Sequence, residues 1–180
     1  MEQKSYFDHL AQAMTLLSNV DKTLFCGQAV AVEGTAMRKT LLSVPESKLI
    51  EFPVDEDFQM GFATGLAFAG YLPICIFPRF DFLLVATNQI VNYLDKVGEI
   101  GRFTVPPKVI IRTSIGSRHP LNPGPQHIGD YTDVFKLLLK NVEVILLDEK
   151  EKILPAYERA QERMDGASTL LIEYGDYYNK

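Results

Sequence analysis

Three stretches of the chain carry residue types able to do chemistry. In "PVDEDFQMGFATGLAFAG", residues 53 to 70, Asp55, Glu56 and Asp57 stand directly before an uncharged run rich in glycine and alanine. A carboxyl group at the mouth of so apolar a segment can hold a proton for a basic partner. The commoner reason for an acid in a first helical turn is to complement the positive end of the helix dipole. In "FPRFDF", residues 77 to 82, Phe77, Phe80 and Phe82 offer flat faces that either stack on a ring or fill a core, and Asp81 is placed to cap a helix beginning near Leu83. The third stretch, "TSIGSRHPLNPGPQHIGD" at 113 to 130, is rich in proline and glycine and holds His119, His127 and Arg118. A loop this long in a compact domain is either functional or mobile, and a histidine in it is either a proton donor or an ordinary loop residue.

These stretches need elements to hold them. From residue 5 onward Phe7, Leu10, Ala13, Met14 and Leu17 recur at spacings of three and four, which predicts a helix over 5–18. Apolar bursts at 22–27, 48–52, 72–77, 108–112, 142–147 and 168–174, rich in Ile, Leu and Val, predict strands. Helix-length segments lie between them at about 57–69, 83–100, 130–139 and 149–164. Continuous apolar strands alternating with helices predict one α/β domain over 1–180, with a doubly wound, mainly parallel sheet and helices on both faces. Ligands of such sheets gather at the carboxyl ends of the strands.

Composition excludes several classes. With 180 residues, 47% of them hydrophobic and 23% charged, the chain is long enough for a real core and is neither disordered nor fibrous. A formal net charge of −5 without any basic tract argues against nucleic acid as a partner. Phe58 to Pro78 is uncharged and long enough to span a bilayer, but Gly70 and Pro73 divide it into a buried helix and a strand, so no membrane span is expected. Glu2 and Asp8 interrupt the region a secretory signal would need. Cys26 and Cys75 sit in apolar strands and read as buried thiols, so a cytoplasmic setting without a disulfide is expected. GxGxxG, a phosphate-binding GKS/T, HExxH, CxxC and GxSxG are all missing, which disfavours an ordinary nucleotide-binding or zinc enzyme.

In order and spacing the chain resembles the pyrimidine-binding domain of the transketolase-like thiamine-diphosphate enzymes, most of all the N-terminal domain of 2-oxoacid dehydrogenase beta subunits. "SYFDHLAQAM" is similar to the family's opening helix. "PVDEDFQMGFATGLAFAG" resembles its Pro-x-x-Glu-x-x-x-x-Gly-x-x-x-Gly-Leu-Ala segment, "FDF" with "NQIVN" its aromatic pair and following helix, and "STLLIEYGDYY" its closing strand. The resemblance implies that Glu56 hydrogen-bonds the ring nitrogen of the cofactor's aminopyrimidine. Sharing a proton there favours the imino tautomer, whose exocyclic nitrogen removes the thiazolium proton. The Gly- and Ala-rich run would be the dry wall beside it. Phe82, with Phe80 as the alternative, matches the aromatic that stacks on the pyrimidine. His127 in "GPQH" matches a histidine facing the substrate, and Arg118 and His119 match nothing in the family. Gly61 and Gly65, four apart on a helix, permit close approach of another helix, which in this family belongs to a partner subunit, though tight packing within the domain would need the same residues.

The resemblance also implies what lies elsewhere. The Gly-Asp-Gly motif and later Asn that hold Mg2+ and the diphosphate do not occur here, nor does the further domain of the dehydrogenase beta subunit. Thiamine diphosphate is therefore expected to be shared with a subunit carrying the diphosphate-binding domain, which holds the Mg2+, in a homodimer or heterotetramer. The family often places acids after the glycine closing its first strand, where this chain has Gln28 and Ala29. The expected function is cofactor activation for carbon–carbon cleavage of a 2-oxoacid. Ketol transfer from a ketose and a non-catalytic module of the same fold are the alternatives.

Overall fold

In the computed structural model, which describes residues 4–103, 106–119 and 121–179, all six predicted strands form. They are β1 (Thr23–Gly27), β2 (Leu49–Glu51), β3 (Leu72–Phe77), β4 (Ile110–Ile115), β5 (Glu143–Leu147) and β6 (Thr169–Tyr174). All pairings are parallel, in the order β2-β1-β3-β4-β6-β5. The helices are α1 (Tyr6–Ser18), α2 (Ala36–Lys39), α3 (Glu56–Phe68), α4 (Phe80–Leu83), α5 (Val97–Ile100), α6 (Thr132–Leu138) and α7 (Lys150–Glu162).

Both faces of the sheet are covered, which is why its strands read as unbroken apolar runs. Phe25, Ile74, Ile76, Ile110 and Leu171 point to a layer built by α1 and α7. Their neighbours Cys26, Cys75, Phe77, Ile111, Leu170 and Ile172 point the other way, to α3, α6 and the segment between β3 and β4. Helix α1 starts where Ser5 accepts a hydrogen bond from the Asp8 N–H and Asp8 accepts one from the Ser5 N–H. The uncharged run divides as its sequence predicts: α3 ends at Phe68, Gly70 turns with φ +84 and β3 begins at Leu72. No helix of the described residues is long and apolar enough to cross a membrane.

The layer beneath α1 and α7 contains a buried polar network. Arg112 on β4 makes a two-pronged ion pair with Glu173 on β6, at 2.6 and 3.1 Å, and donates to Thr40 Oγ1 at 2.9 Å. Tyr157 of α7 and Tyr178 donate to the same carboxylate. Arg112 and Glu173 are completely buried.

Two expectations fail between β3 and β4. The helix predicted over 83–100 is broken into α4, a 3-10 turn at Leu84–Ala86, a π turn at Gln89–Tyr93, a second 3-10 turn at Leu94–Lys96 and α5. The break brings Asp95 inward, where its carboxylate accepts the backbone N–H groups of Lys140, Asn141 and Val142. Nor does Asp81 cap a helix near Leu83. The helix begins at Phe80, and Asp81 instead accepts hydrogen bonds from Gly129 N and Tyr131 OH. Asp95→Ala should cost about 3 kcal/mol, the range for orphaning buried N–H groups that lose a charged acceptor. Urea unfolding monitored by circular dichroism checks it.

Candidate functional site

Strand order places the site. The chain passes from β1 outward to β2 and then returns to the other side of β1 to form β3, so the connections leaving β1 and β3 diverge. A crevice at the carboxyl ends of such strands is where open parallel sheets bind ligands. Glu56, Gln28, Phe82 and His127 all lie there, following β2, β1, β3 and β4 respectively.

Glu56 is the first residue of α3 and is 8% exposed. Its hydrogen bond among the described residues is to Gln28, whose Nε2 donates to Oε1 at 3.0 Å. The two flanking acids have other duties. Asp55 caps α3 by accepting the Phe58 N–H at 3.0 Å, and Asp57 accepts from Gln89 Nε2 at 3.0 Å. The three carboxylates crowded in sequence are thus separated in space, with only Glu56 buried.

The backbone beneath Glu56 is tightly built. A Cβ on Gly27 would run into the Ile76 carbonyl, so β1 can close on β3 only with glycine there. Glu51, the last residue of β2, accepts the N–H groups of Ala29, Val30 and Ala31 at 2.7, 2.8 and 2.7 Å. This clamp holds Ala29 at φ +55, a left-handed conformation uncommon for alanine. One helical turn beyond Glu56, the fully buried Gln59 donates to the Ile76 carbonyl at 2.8 Å, pinning α3 to the sheet. Cys26 and Cys75, opposed on neighbouring strands behind it, are free thiols. The hydrogen bond of the Cys26 S–H to Cys75 and then burial push the Cys26 thiol well above its ordinary range.

On the far side of the crevice, Phe82 is half-buried and meets the His127 ring edge-on, with centroids 5.6 Å apart and planes at 82°. Phe80 is fully buried between Tyr131 and Phe135. Of the two aromatics, only Phe82 therefore has a face near the crevice. Arg79 donates from NH1 to the His127 carbonyl at 3.1 Å, and that carbonyl also lies against Gly116, where a Cβ would collide with it. His127 Nδ1 is buried and has no hydrogen-bond partner among the described residues.

Arg118 and His119 stand apart, beside a cavity of about 680 Å³ over β4 and β6. Their backbone N–H groups bind Asp176, and these bonds outweigh its desolvation to hold that carboxyl below its ordinary range. Along α3, Gly61 and Gly65 line a groove of about 340 Å³ with Phe68, Tyr93, Ile100 and Phe103. Among the described residues, nothing lies within contact of a Cβ at Gly65. Phe52, Phe58 and Phe62 form a cluster of edge contacts on the same side, with Phe58 and Phe62 at least 40% exposed.

Glu51, Gln59 and Arg79 do not stand out in the sequence. Their partners are backbone atoms 17 to 48 residues away. The one local signal is that an acid closes β2 and an arginine precedes "FDF".

The family model described as transketolase, pyrimidine binding domain, matches residues 2–174. Among curated proteins, the chain is 31% identical over 87 residues to the mitochondrial pyruvate dehydrogenase E1 component subunit beta of Caenorhabditis elegans, covering 48% of this chain and 24% of that protein. Among solved structures it superposes on a split gene transketolase, an inactive beta4 tetramer, with a TM-score of 0.69 at 15% identity over 96% of this chain and 52% of that one. Transketolase from Campylobacter jejuni gives a TM-score of 0.71 at 15% identity over 93% of this chain and 25% of that one. At such identity the structural likeness concerns the fold. The chain spans about half or less of the length of these relatives.

Proposed function

Because this chain belongs to the transketolase pyrimidine-binding domain family, we propose that residues 1–180 are the pyrimidine-binding unit of a split thiamine-diphosphate enzyme that cleaves a carbon–carbon bond of a 2-oxoacid. The observation that carries this reading is Glu56: a buried carboxyl at the switch point, with Oε1 held by Gln28 and, among the described residues, no hydrogen bond on Oε2. A protonated ring nitrogen, or one that shares a proton, suits such a group, and a flat heterocycle suits the half-buried face of Phe82. When bound, the cofactor supplies the carbon nucleophile. Glu56 holds the proton at the ring nitrogen, Phe82 orients the ring and His127 faces the substrate oxygen. His127 Nδ1, buried without a partner, supports a polar role at that end of the site.

Mg2+ and the diphosphate fall to a partner subunit in this reading, which makes the active assembly a heterotetramer or larger with the cofactor across the junction. The exposed aromatic cluster and the groove at Gly61 and Gly65 support a partner on the α3 side. A reducing compartment, the cytoplasm, suits the two buried thiols. The residues "TSIG" and "GPQH" resemble segments of transketolase, which supports a second reading, ketol transfer from a ketose.

The test is titration of thiamine diphosphate and Mg2+ into the full chain, alone and mixed with a diphosphate-domain chain, read by fluorescence quenching. Saturable binding is expected only in the mixture, followed by decarboxylation of 2-oxoacids with an artificial electron acceptor. Turnover of ketoses alone would establish the second reading. Absence of binding in every mixture would leave a non-catalytic module.

A further inference from the structure

Gln28 occupies the residue after the glycine that closes β1, and its side chain is as enclosed as that of Glu56, at 9% and 8% exposure. We propose that Gln28 is a positioning residue that makes the two oxygens of Glu56 inequivalent and commits Oε2 to the cofactor. The proposal rests on the reading of Glu56 given above. An amide N–H can bond only to a lone pair. Oε1 therefore accepts whether Glu56 is ionised or protonated, and because the carbonyl oxygen of a carboxyl is the better acceptor, the bond favours the proton, when Glu56 carries it, on Oε2. Oε2 has no protein partner among the described residues, so the carboxyl is presented to a ligand in one orientation.

The anchor is stiff enough for this task. Gly27 is wedged against Ile76, and the Glu51 clamp on Ala29, Val30 and Ala31 fixes the backbone on the other side of Gln28. Every other ionisable side chain close by along the elements that carry Glu56 and Gln28 is engaged elsewhere. Glu51 binds three N–H groups, Asp55 caps α3, Asp57 binds Gln89, and Cys26 and Cys75 face each other within the sheet. Because the partner of Glu56 is a neutral amide, the site handles one proton on one carboxyl. A glutamate in place of Gln28 would instead give two carboxyls that share a proton and titrate as a pair.

Two measurements test this. In the full chain alone, the side-chain NH2 of Gln28, followed by NMR, should exchange with solvent about tenfold more slowly than in Glu56→Ala. Exchange at the rate of a free glutamine would overturn the proposal. In the enzyme assembled with its diphosphate-domain partner, Gln28→Leu should lower kcat about tenfold while circular dichroism shows an unchanged fold, and Gln28→Glu should add a second ionisation to the pH profile of kcat/KM. If both variants keep the parent rate and profile while Glu56→Gln is inactive, the positioning role fails and the cofactor reading stands. If Glu56→Gln is fully active, the cofactor reading fails and takes the positioning role with it.

Discussion

Replacing Glu56 with glutamine is expected to lower the turnover of the assembled enzyme by about 10²- to 10⁴-fold, the share of a rate that a positioned acid–base group supplies. That corresponds to about 3 to 5 kcal/mol of transition-state stabilisation. The substitution keeps the shape and keeps an acceptor for Gln28, because a glutamine carbonyl can take the place of Oε1. What it removes is the carboxyl proton. The fold should persist, since Asp55 still caps α3 and Gln59 still pins it to the sheet. Loss of the acid at the helix start costs only about 0.3 to 1 kcal/mol. Steady-state rates with an artificial acceptor, taken beside thermal melts of the same samples, separate the two effects. Parent-level turnover would remove Glu56 from the mechanism.

Arg112→Met is expected to be the most damaging substitution for stability, costing about 3 to 5 kcal/mol against a total of about 5 to 15 kcal/mol for a typical domain. It strips the cation from a completely buried carboxylate and leaves Glu173 facing phenols. Burial of the guanidinium opposes its charge, but the Glu173 carboxylate more than compensates and holds Arg112 firmly protonated. Because the penalty comes from the stranded charge, the double substitution Arg112→Met with Glu173→Leu should recover much of it, as judged by urea midpoints. The same network fixes a pH limit. Burial, then the Glu173 carboxylate, raise the phenols of Tyr6, Tyr157 and Tyr178 above their ordinary value. A raised acid is protonated in the fold and ionised earlier in the unfolded chain. Stability from these three is therefore complete below about pH 10 and lost as pH rises beyond it.

The strands and the two-sided burial are legible in the sequence because both are local properties of apolar runs: "LPICIF" reads as a strand covered on both faces and is one. Glu56 taken alone reads as an ordinary first-turn acid; it is legible as a candidate because "PVDEDFQMGFATGLAFAG" resembles the family's Pro-x-x-Glu segment. What cannot be read depends on distant pairs. The fracture of 83–100 serves Asp95, whose three N–H partners lie 45 to 47 residues on. Asp81 resembles a cap until Gly129 and Tyr131 arrive from the far side of a loop. Gln28 reads as the loss of an acid, and only its distance to Glu56 turns it into a donor. Of the stacking candidates in "FDF", the resemblance puts Phe82 before Phe80, and the physical reason for that order, the packing of Phe80 against Tyr131 and Phe135, comes from distant residues.

The place of β6 bears on how the chain comes off the ribosome. It is the latest of the six strands to be synthesised, yet it lies inside the sheet, with β4 on one side and β5 on the other. Until residues 169–174 have cleared the exit tunnel, β5 has no strand to pair with and β4 keeps an open margin. From residue 115 onward the nascent chain therefore carries an open β4 margin, joined after residue 147 by an unpaired β5, until β6 emerges, the kind of intermediate that holding chaperones retain. The sheet closes in a single late step, when one strand slides between two that have been waiting for it.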